Sequence, residues 1–233
     1  DADVRYLHMS PRYADRYPFA RDVVRFVGEE VAAVAADTLE HALSAVAAIV
    51  VTYEVLDPIF ETRDAMASGA PVIHQREGLP PNVAQHTMAE WGDTISGFTN
   101  AAHTVEGTYS HGTIAPVCME TNGVVATYDH ALDRIDVWAG TQSPFFVRKE
   151  IAHILGLDRK QVRVHSIEIG GGFGGKSQAP EPIGIAALLS RKARAPVKIQ
   201  LSRREEFISG KTDPGKIMKL KTAVDADGKI IAR

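Results

Sequence analysis

Residues 170–177 read Gly-Gly-Gly-Phe-Gly-Gly-Lys-Ser, five glycines and one phenylalanine followed by a cation and a hydroxyl. A stretch with almost no Cβ atoms can take positive φ and bring its backbone close to another group. Successive bare N–H groups at such a place form a site for an anion or an oxo group, and more so ahead of a helix. A plain strand-to-helix turn is a third use, but one or two glycines suffice for that. Two chemical readings therefore stand side by side. One is a phosphate loop, since Gly170-x-x-x-x-Gly175-Lys176-Ser177 fits that pattern formally. The other is a close-approach site for an anion or an oxo group.

The neighbouring elements weigh on that choice. VRVHSIEI, within 159–169, reads as a strand feeding the loop, and a helix is expected over about 183–193. A phosphate loop starts its helix at the Gly-Lys-Ser itself. Pro180 and Pro182 follow here, and Pro182 would remove a hydrogen bond from a helix begun at Lys176. The next strand, 196–201, runs into Ser202-Arg203-Arg204 and not into an Asp that could hold magnesium. Upstream, strands are expected at 104–109, 123–129 and 135–139, the last two joined by a hairpin loop at 130–134. Thr141-Gln142-Ser143-Pro144 then opens a helix over 145–155, with Pro144 near its first turn and Gly156 at its end. Helix 95–102, a polar turn or short helix at 202–206 and a hairpin of 219–224 with 229–232 complete this part. Glu120 is expected to be a buried carboxylate paired with a cation or a backbone donor.

The first part of the chain predicts an irregular entry to residue 21, then strand 23–27, strand 31–36, a helix over 39–47 capped at Asp37-Thr38, and strand 49–56. Glycines and prolines interrupt every periodic run in 57–95, which reads as a linker with one short helix near 62–67. His8, His41, His74 and His86 show no metal-ligand spacing. The 233 residues are 45% hydrophobic, enough for one or two cored domains. A formal charge of −3 with scattered basic residues argues against a nucleic-acid partner. Cys118 is the only cysteine, which leaves neither a disulfide framework nor ligands for an iron–sulfur cluster. No apolar run approaches twenty residues and no signal segment is visible, so no membrane span and a cytoplasmic setting are expected.

The segment GGGFGGK after a strand resembles the molybdenum-cofactor loop of the xanthine dehydrogenase and aldehyde oxidase family. Gln142, thirty-one positions before Phe173, resembles that family's glutamine in its spacing to the loop. Met119-Glu120-Thr121, LSRREEF at 201–207, KLKTAVDADGKIIA at 219–232 and the stretch from Val24 to Leu56 are similar as well, so the likeness spans the chain from about residue 22. The resemblance implies an α+β fold: the C-terminal part of an a/b hammerhead domain at 1–56, a linker at 57–95, and the first part of a molybdopterin-binding domain at 96–233. It implies a molybdenum–molybdopterin cofactor in a dinucleotide form, with Gln142, Gly171, Gly172, Phe173 and Gly174 as its contacts. Gln142 would reach the metal through an oxo ligand, because its amide donates without adding charge. Phe173 and Ser177 would border a substrate pocket. Ser177 stands where purine-oxidising members often carry Glu, which puts purine substrates in doubt.

The implied activity is hydroxylation of an aldehyde or an aromatic N-heterocycle with water as oxygen source. Electrons would leave through iron–sulfur centres and FAD in other domains or subunits. The remainder of the molybdenum subunit is the implied partner, since the family's catalytic glutamate lies nearer the C-terminus than residue 233. By itself the chain is therefore expected to be inactive, with no catalytic residue of its own. A nucleotide-binding protein and a non-catalytic assembly module are the alternatives.

Overall fold

The structure is a computed structural model and describes residues 3–7, 14–178 and 181–233. His8, Pro11 and Pro180 lie outside the described residues. The helices are α1 (Leu39–Ala47), α2 (Thr62–Ala65), α3 (Thr94–Thr99), α4 (Pro144–Leu155), α5 (Glu181–Ala193) and α6 (Arg203–Ser209). The strands are β1 (His103–His111), β2 (Gly123–Asp129), β3 (Arg134–Ala139), β4 (Val162–Ser166), β5 (Val197–Gln200), β6 (Lys216–Val224) and β7 (Ile230–Ala232). The chain forms two compact units, each built from two separated segments. One takes Asp1–Pro58 and Ala115–Lys211, the other Ile59–Ile114 and Thr212–Arg233.

The first unit holds a four-stranded sheet in the order β4-β3-β2-β5. β2 and β3 form an antiparallel hairpin, and β3 pairs in parallel with β4. A parallel pair needs a crossover, and α4 supplies it. Period-two patterning sets the buried face of the sheet. Val124, Ala126 and Tyr128 of β2 and Ile135, Val137 and Ala139 of β3 are buried. Val147, Ile151, Ile154 and Leu155 of α4 and Ile183, Ala186, Ala187 and Leu188 of α5 join them in one core. Each large aliphatic side chain buried there contributes about 1.5–3 kcal/mol. Pro144 starts α4, and Gly156 ends it with φ 67°. Tyr6, also buried, donates to the Glu181 carbonyl at 3.2 Å. Arg16 pairs with both Glu30 and Glu181, so the entry segment is pinned to the start of α5.

Several expected elements differ. Segments 23–27, 31–36 and 49–56 hold no strand, although α1 between them occupies its expected residues, with Thr38 Oγ1 accepting from the His41 N–H at 3.2 Å. β-Branched residues favour extended backbone, but a strand exists only as one member of a hydrogen-bonded pair. None of these segments has a ladder partner among the described residues, and Val50 and Val55 are about nine-tenths exposed (90% and 91%). The feeding strand ends at Ser166 and not at Ile169, because its partner β3 ends at Ala139, which sits opposite Ser166. Of the two forms expected after β5, a polar turn or a short helix, the helix is present as α6, capped at its start by a capping box of Ser202 and Glu205.

The second unit holds a three-stranded antiparallel sheet, β1-β6-β7. α3 starts at Asp93, whose carboxylate accepts from the Ser96 N–H, and stops at Thr99. Asn82 organises the segment before it. Its Oδ1 accepts from the N–H groups of Ile73 and His74, and its Nδ2 donates to the carbonyls of Ala65 and Pro71. Among the described residues no helix is long and apolar enough to cross a membrane.

Candidate functional site

After β4 the chain leaves the sheet and enters the glycine loop of the first unit. Gly171 and Gly174 have positive φ, 99° and 85°. Phe173 sits between them at φ 46°, a conformation a bulky residue rarely takes, and its ring is 77% exposed. The loop closes on itself through the Gly175 N–H to the Gly172 carbonyl (2.7 Å) and the Ser177 N–H to the Gly174 carbonyl. Among the described residues, the N–H groups of Gly171, Gly172 and Phe173 have no hydrogen-bond partner. Successive backbone donors left without partners can bind an anionic or oxo oxygen.

Gln142 follows β3 and lies against this loop. Its Oε1 accepts from the N–H of Gly174 at 3.1 Å and of Lys176 at 3.2 Å. Facing two donors, that atom must be the carbonyl oxygen, which fixes the amide orientation. The Nε2 group has no partner among the described residues, and the residue is exposed. The main chain of Gln142 is held too, its N–H donating to the Lys176 carbonyl at 2.9 Å. Gly172 packs so closely that an added Cβ would lie 2.5 Å from Gln142 Cδ.

The floor of the loop is segment 116–120, which runs against it in the opposite direction and carries Val117 in a left-handed conformation (φ 48°). Alternate residues meet the loop. A Cβ on Gly175 would lie 2.7 Å from Pro116 Cγ. The Cys118 thiol donates to the Gly172 carbonyl at 3.4 Å. Glu120 Oε2 accepts from the Gly170 N–H at 2.8 Å and from Lys176 Nζ at 2.6 Å. The hydrogen bond from Lys176 holds the Glu120 carboxyl below its ordinary pKa; partial burial works against this and the Gly170 N–H adds to it. The expected pairing of Glu120 is present, although its side chain is 37% exposed and it is Lys176, at 1%, that is buried.

All the residues expected from the sequence are placed on this loop or beside it: Gln142, Gly171, Gly172, Phe173, Gly174 and Ser177. Ser177 Oγ donates to the Gly174 carbonyl at 2.7 Å and accepts from Lys211 Nζ at 3.0 Å. The following helix begins at Glu181, five residues after Lys176. Sequence reasoning missed Pro116 and Cys118 and left Lys176 without a structural role. Pro116, Cys118 and Glu120 lie two residues apart on this strap, but with Val117 at φ 48° the spacing is not a strand pattern, and the sequence carried no signal for it.

A loop of unpaired N–H donors after a strand, with a neutral amide beside it, is suited to an oxygen-rich group. The molybdopterin cofactor-binding domain profile matches residues 74–233, and the a/b hammerhead domain of aldehyde oxidase and xanthine dehydrogenase matches residues 3–57. The chain belongs to this molybdopterin-binding family. It is 34% identical over 212 residues to the nicotine 6-hydroxylase large subunit of Paenarthrobacter nicotinovorans, covering 91% of this chain and 26% of that protein. It is also 34% identical to the nicotinate dehydrogenase large molybdopterin subunit of Eubacterium barkeri, covering 91% and 48%. Among solved structures, quinoline 2-oxidoreductase of Pseudomonas putida 86 matches with TM-score 0.80 and 31% identity, over 91% of this chain and 27% of that one. The chain thus spans between a quarter and a half of these relatives (26%, 48% and 27%).

Proposed function

We propose that this chain supplies the first part of the molybdenum-cofactor subunit of a hydroxylase acting on an aromatic N-heterocycle or an aldehyde, with water as oxygen source. The observation that carries this reading is the orientation of Gln142. Its carbonyl is held by two loop N–H groups, so its NH₂ is left without a partner among the described residues, on an exposed side chain that packs against Gly172. This donor set fits an oxo group and the oxygens of a pterin cofactor, and it adds no charge that would repel them. Glycine at 171, 172 and 174 lets the cofactor approach the backbone.

When bound, the cofactor supplies a redox-active molybdenum centre at which oxygen derived from water is transferred to a substrate carbon and two electrons are taken up. The residues of this chain bind and orient. Gln142 Nε2 would donate to an oxo oxygen of the bound group, and the N–H groups of 171–173 would help to hold the cofactor. The exposed ring of Phe173 offers an apolar wall for a planar substrate, with Ser177 near its edge. Cys118 is the only cysteine, so iron–sulfur centres, and FAD where present, belong to other domains or subunits. A dinucleotide form of the pterin, a hammerhead unit over 1–56, a connecting segment over 57–95 and the cofactor domain from 96 are parts of the same proposal.

N-heterocycles are favoured because relatives are named for nicotine, nicotinate and quinoline, while Ser177 replaces the glutamate of purine oxidisers. Lys176, turned inward to Glu120, favours the cofactor cradle over a phosphate loop, whose lysine must reach the bound phosphate. The test uses the complete assembly in ¹⁸O-labelled water with pyridine, quinoline, purine and aldehyde substrates. Label in a hydroxylated heterocycle supports the proposal. An assembly that holds no molybdenum, or that binds ATP at this loop, overturns it.

A further inference from the structure

We propose that Glu120 and Lys176 form a lock that holds the glycine loop in its ligand-ready shape, with Lys176 a positioning residue and not a ligand of the bound cofactor. The inference rests on the reading of the loop as a cofactor cradle and names what keeps that cradle in place.

Lys176 is 1% exposed, and a buried ammonium persists only when paired and hydrogen-bonded. Glu120 Oε2 provides the pairing at 2.6 Å. The same oxygen accepts from the Gly170 N–H, while the Glu120 N–H donates to the Gly170 carbonyl at 3.2 Å. One residue of the strap therefore holds the start of the loop by its backbone and the end of the loop by its carboxylate. The tie extends to Gln142. The Lys176 carbonyl accepts from the Gln142 N–H at 2.9 Å and from Thr141 Oγ at 3.3 Å, and the Lys176 N–H returns a bond to Gln142 Oε1. The ion pair thus ties the two loop ends together at Lys176, whose main chain also holds Gln142.

Two glycines make room for it. A Cβ on Gly170 would lie 2.6 Å from Glu120 Cβ, and one on Gly140 would lie 3.3 Å from Glu120 Oε2 and 3.6 Å from Lys176 Nζ. The pair fills a slot between the end of β3 and the start of the loop, so the Lys176 ammonium is spent on Glu120 and turned away from solvent. In a loop built to bind phosphate with its lysine, that ammonium would face the free N–H groups.

The test compares wild type, Lys176→Met and Glu120→Gln in the complete assembly. It reads hydrogen exchange of peptides covering 165–178 and the rate at which molybdenum is lost during dilution. Lys176→Met should raise exchange in those peptides on the order of ten- to hundredfold, as expected for losing a charge-assisted bond in a locally opening segment. Molybdenum loss should accelerate in parallel, with exchange in α4 and β3 unchanged. Glu120→Gln strands the Lys176 charge and is the variant at risk of misfolding. Lys176→Met leaves a carboxylate that water reaches and therefore carries the test. Unchanged loop exchange in Lys176→Met overturns the lock, and if metal is lost at the same time, Lys176 is a cofactor ligand. A wild-type assembly without molybdenum would defeat the cofactor reading, while the exchange data would still decide the lock.

Discussion

Replacing Gly172 by alanine tests the site with a single methyl group. The new Cβ would stand 2.5 Å from Gln142 Cδ, 2.6 Å from Oε1 and 2.7 Å from Cγ, far inside ordinary contact. Gly172 does not have positive φ, so backbone strain is not the cause; the conflict is with one side chain. Gln142 is exposed and can swing aside, but it then gives up its bonds from the Gly174 and Lys176 N–H groups. Each is worth about 0.5–1.5 kcal/mol, so the fold should lose roughly 1–3 kcal/mol, toward the lower end because water can replace the acceptor. The outward amide is lost with it. The expected result is normal folding with a melting temperature a few degrees lower and a large fall in molybdenum per folded polypeptide, measured by elemental analysis. Gly172→Val should be worse. Gly228→Ala is the control: φ is 82° with nothing within 4 Å of the added Cβ, so it should cost about 1–2 kcal/mol of strain and leave metal content unchanged. Full metal and full turnover in Gly172→Val would refute the reasoning and reduce the loop to a turn.

Other outcomes follow from the same geometry. Gln142→Glu keeps an acceptor for both loop N–H groups but replaces the outward NH₂ with a charged oxygen; stability should stay within about 1 kcal/mol while molybdenum content falls. The folded-state pKa of Glu120 lies below its ordinary value of 4.5, so its contribution is present above that pH and is lost as pH falls through the lower folded value. Acid titration of Glu120→Gln should accordingly show a shallower loss of stability below pH 4.5 than wild type. Ile151→Ala, at a position 1% exposed, should cost about 2–5 kcal/mol by urea unfolding without changing metal per folded polypeptide. Asn82→Gly keeps the left-handed backbone (φ 61°) but removes four side-chain bonds to the backbone, and should open 65–83 to limited proteolysis.

Local patterns made much of the fold legible. The caps at Thr38, Pro144 and Gly156 bound their helices, and alternation in 123–129 and 135–139 marked the strands whose inner faces form the core. What failed was non-local. Segments 23–27, 31–36 and 49–56 have strand composition, but composition does not supply a neighbour to pair with. The same limit applied to the site. The glycines and Gln142 were visible as types and spacings. The direction of the Gln142 amide was not, because it is fixed by N–H groups more than thirty residues away at Gly174 and Lys176. Lys176 looked like a phosphate ligand because Glu120, its partner, stands fifty-six positions earlier. The sequence also did not show how the two compact units interleave, since each takes segments from separate parts of the chain.

The central claim is that Gln142 and residues 171–174 hold a molybdenum cofactor. The most direct measurement is an anomalous-scattering map at the molybdenum edge from crystals of the complete, cofactor-loaded assembly. The expected result is a molybdenum peak beside Gln142, with Nε2 directed toward an oxygen of the centre and the Gly171, Gly172 and Phe173 N–H groups facing the cofactor. A peak remote from the loop, or Gln142 Nε2 directed away from it, would contradict the account.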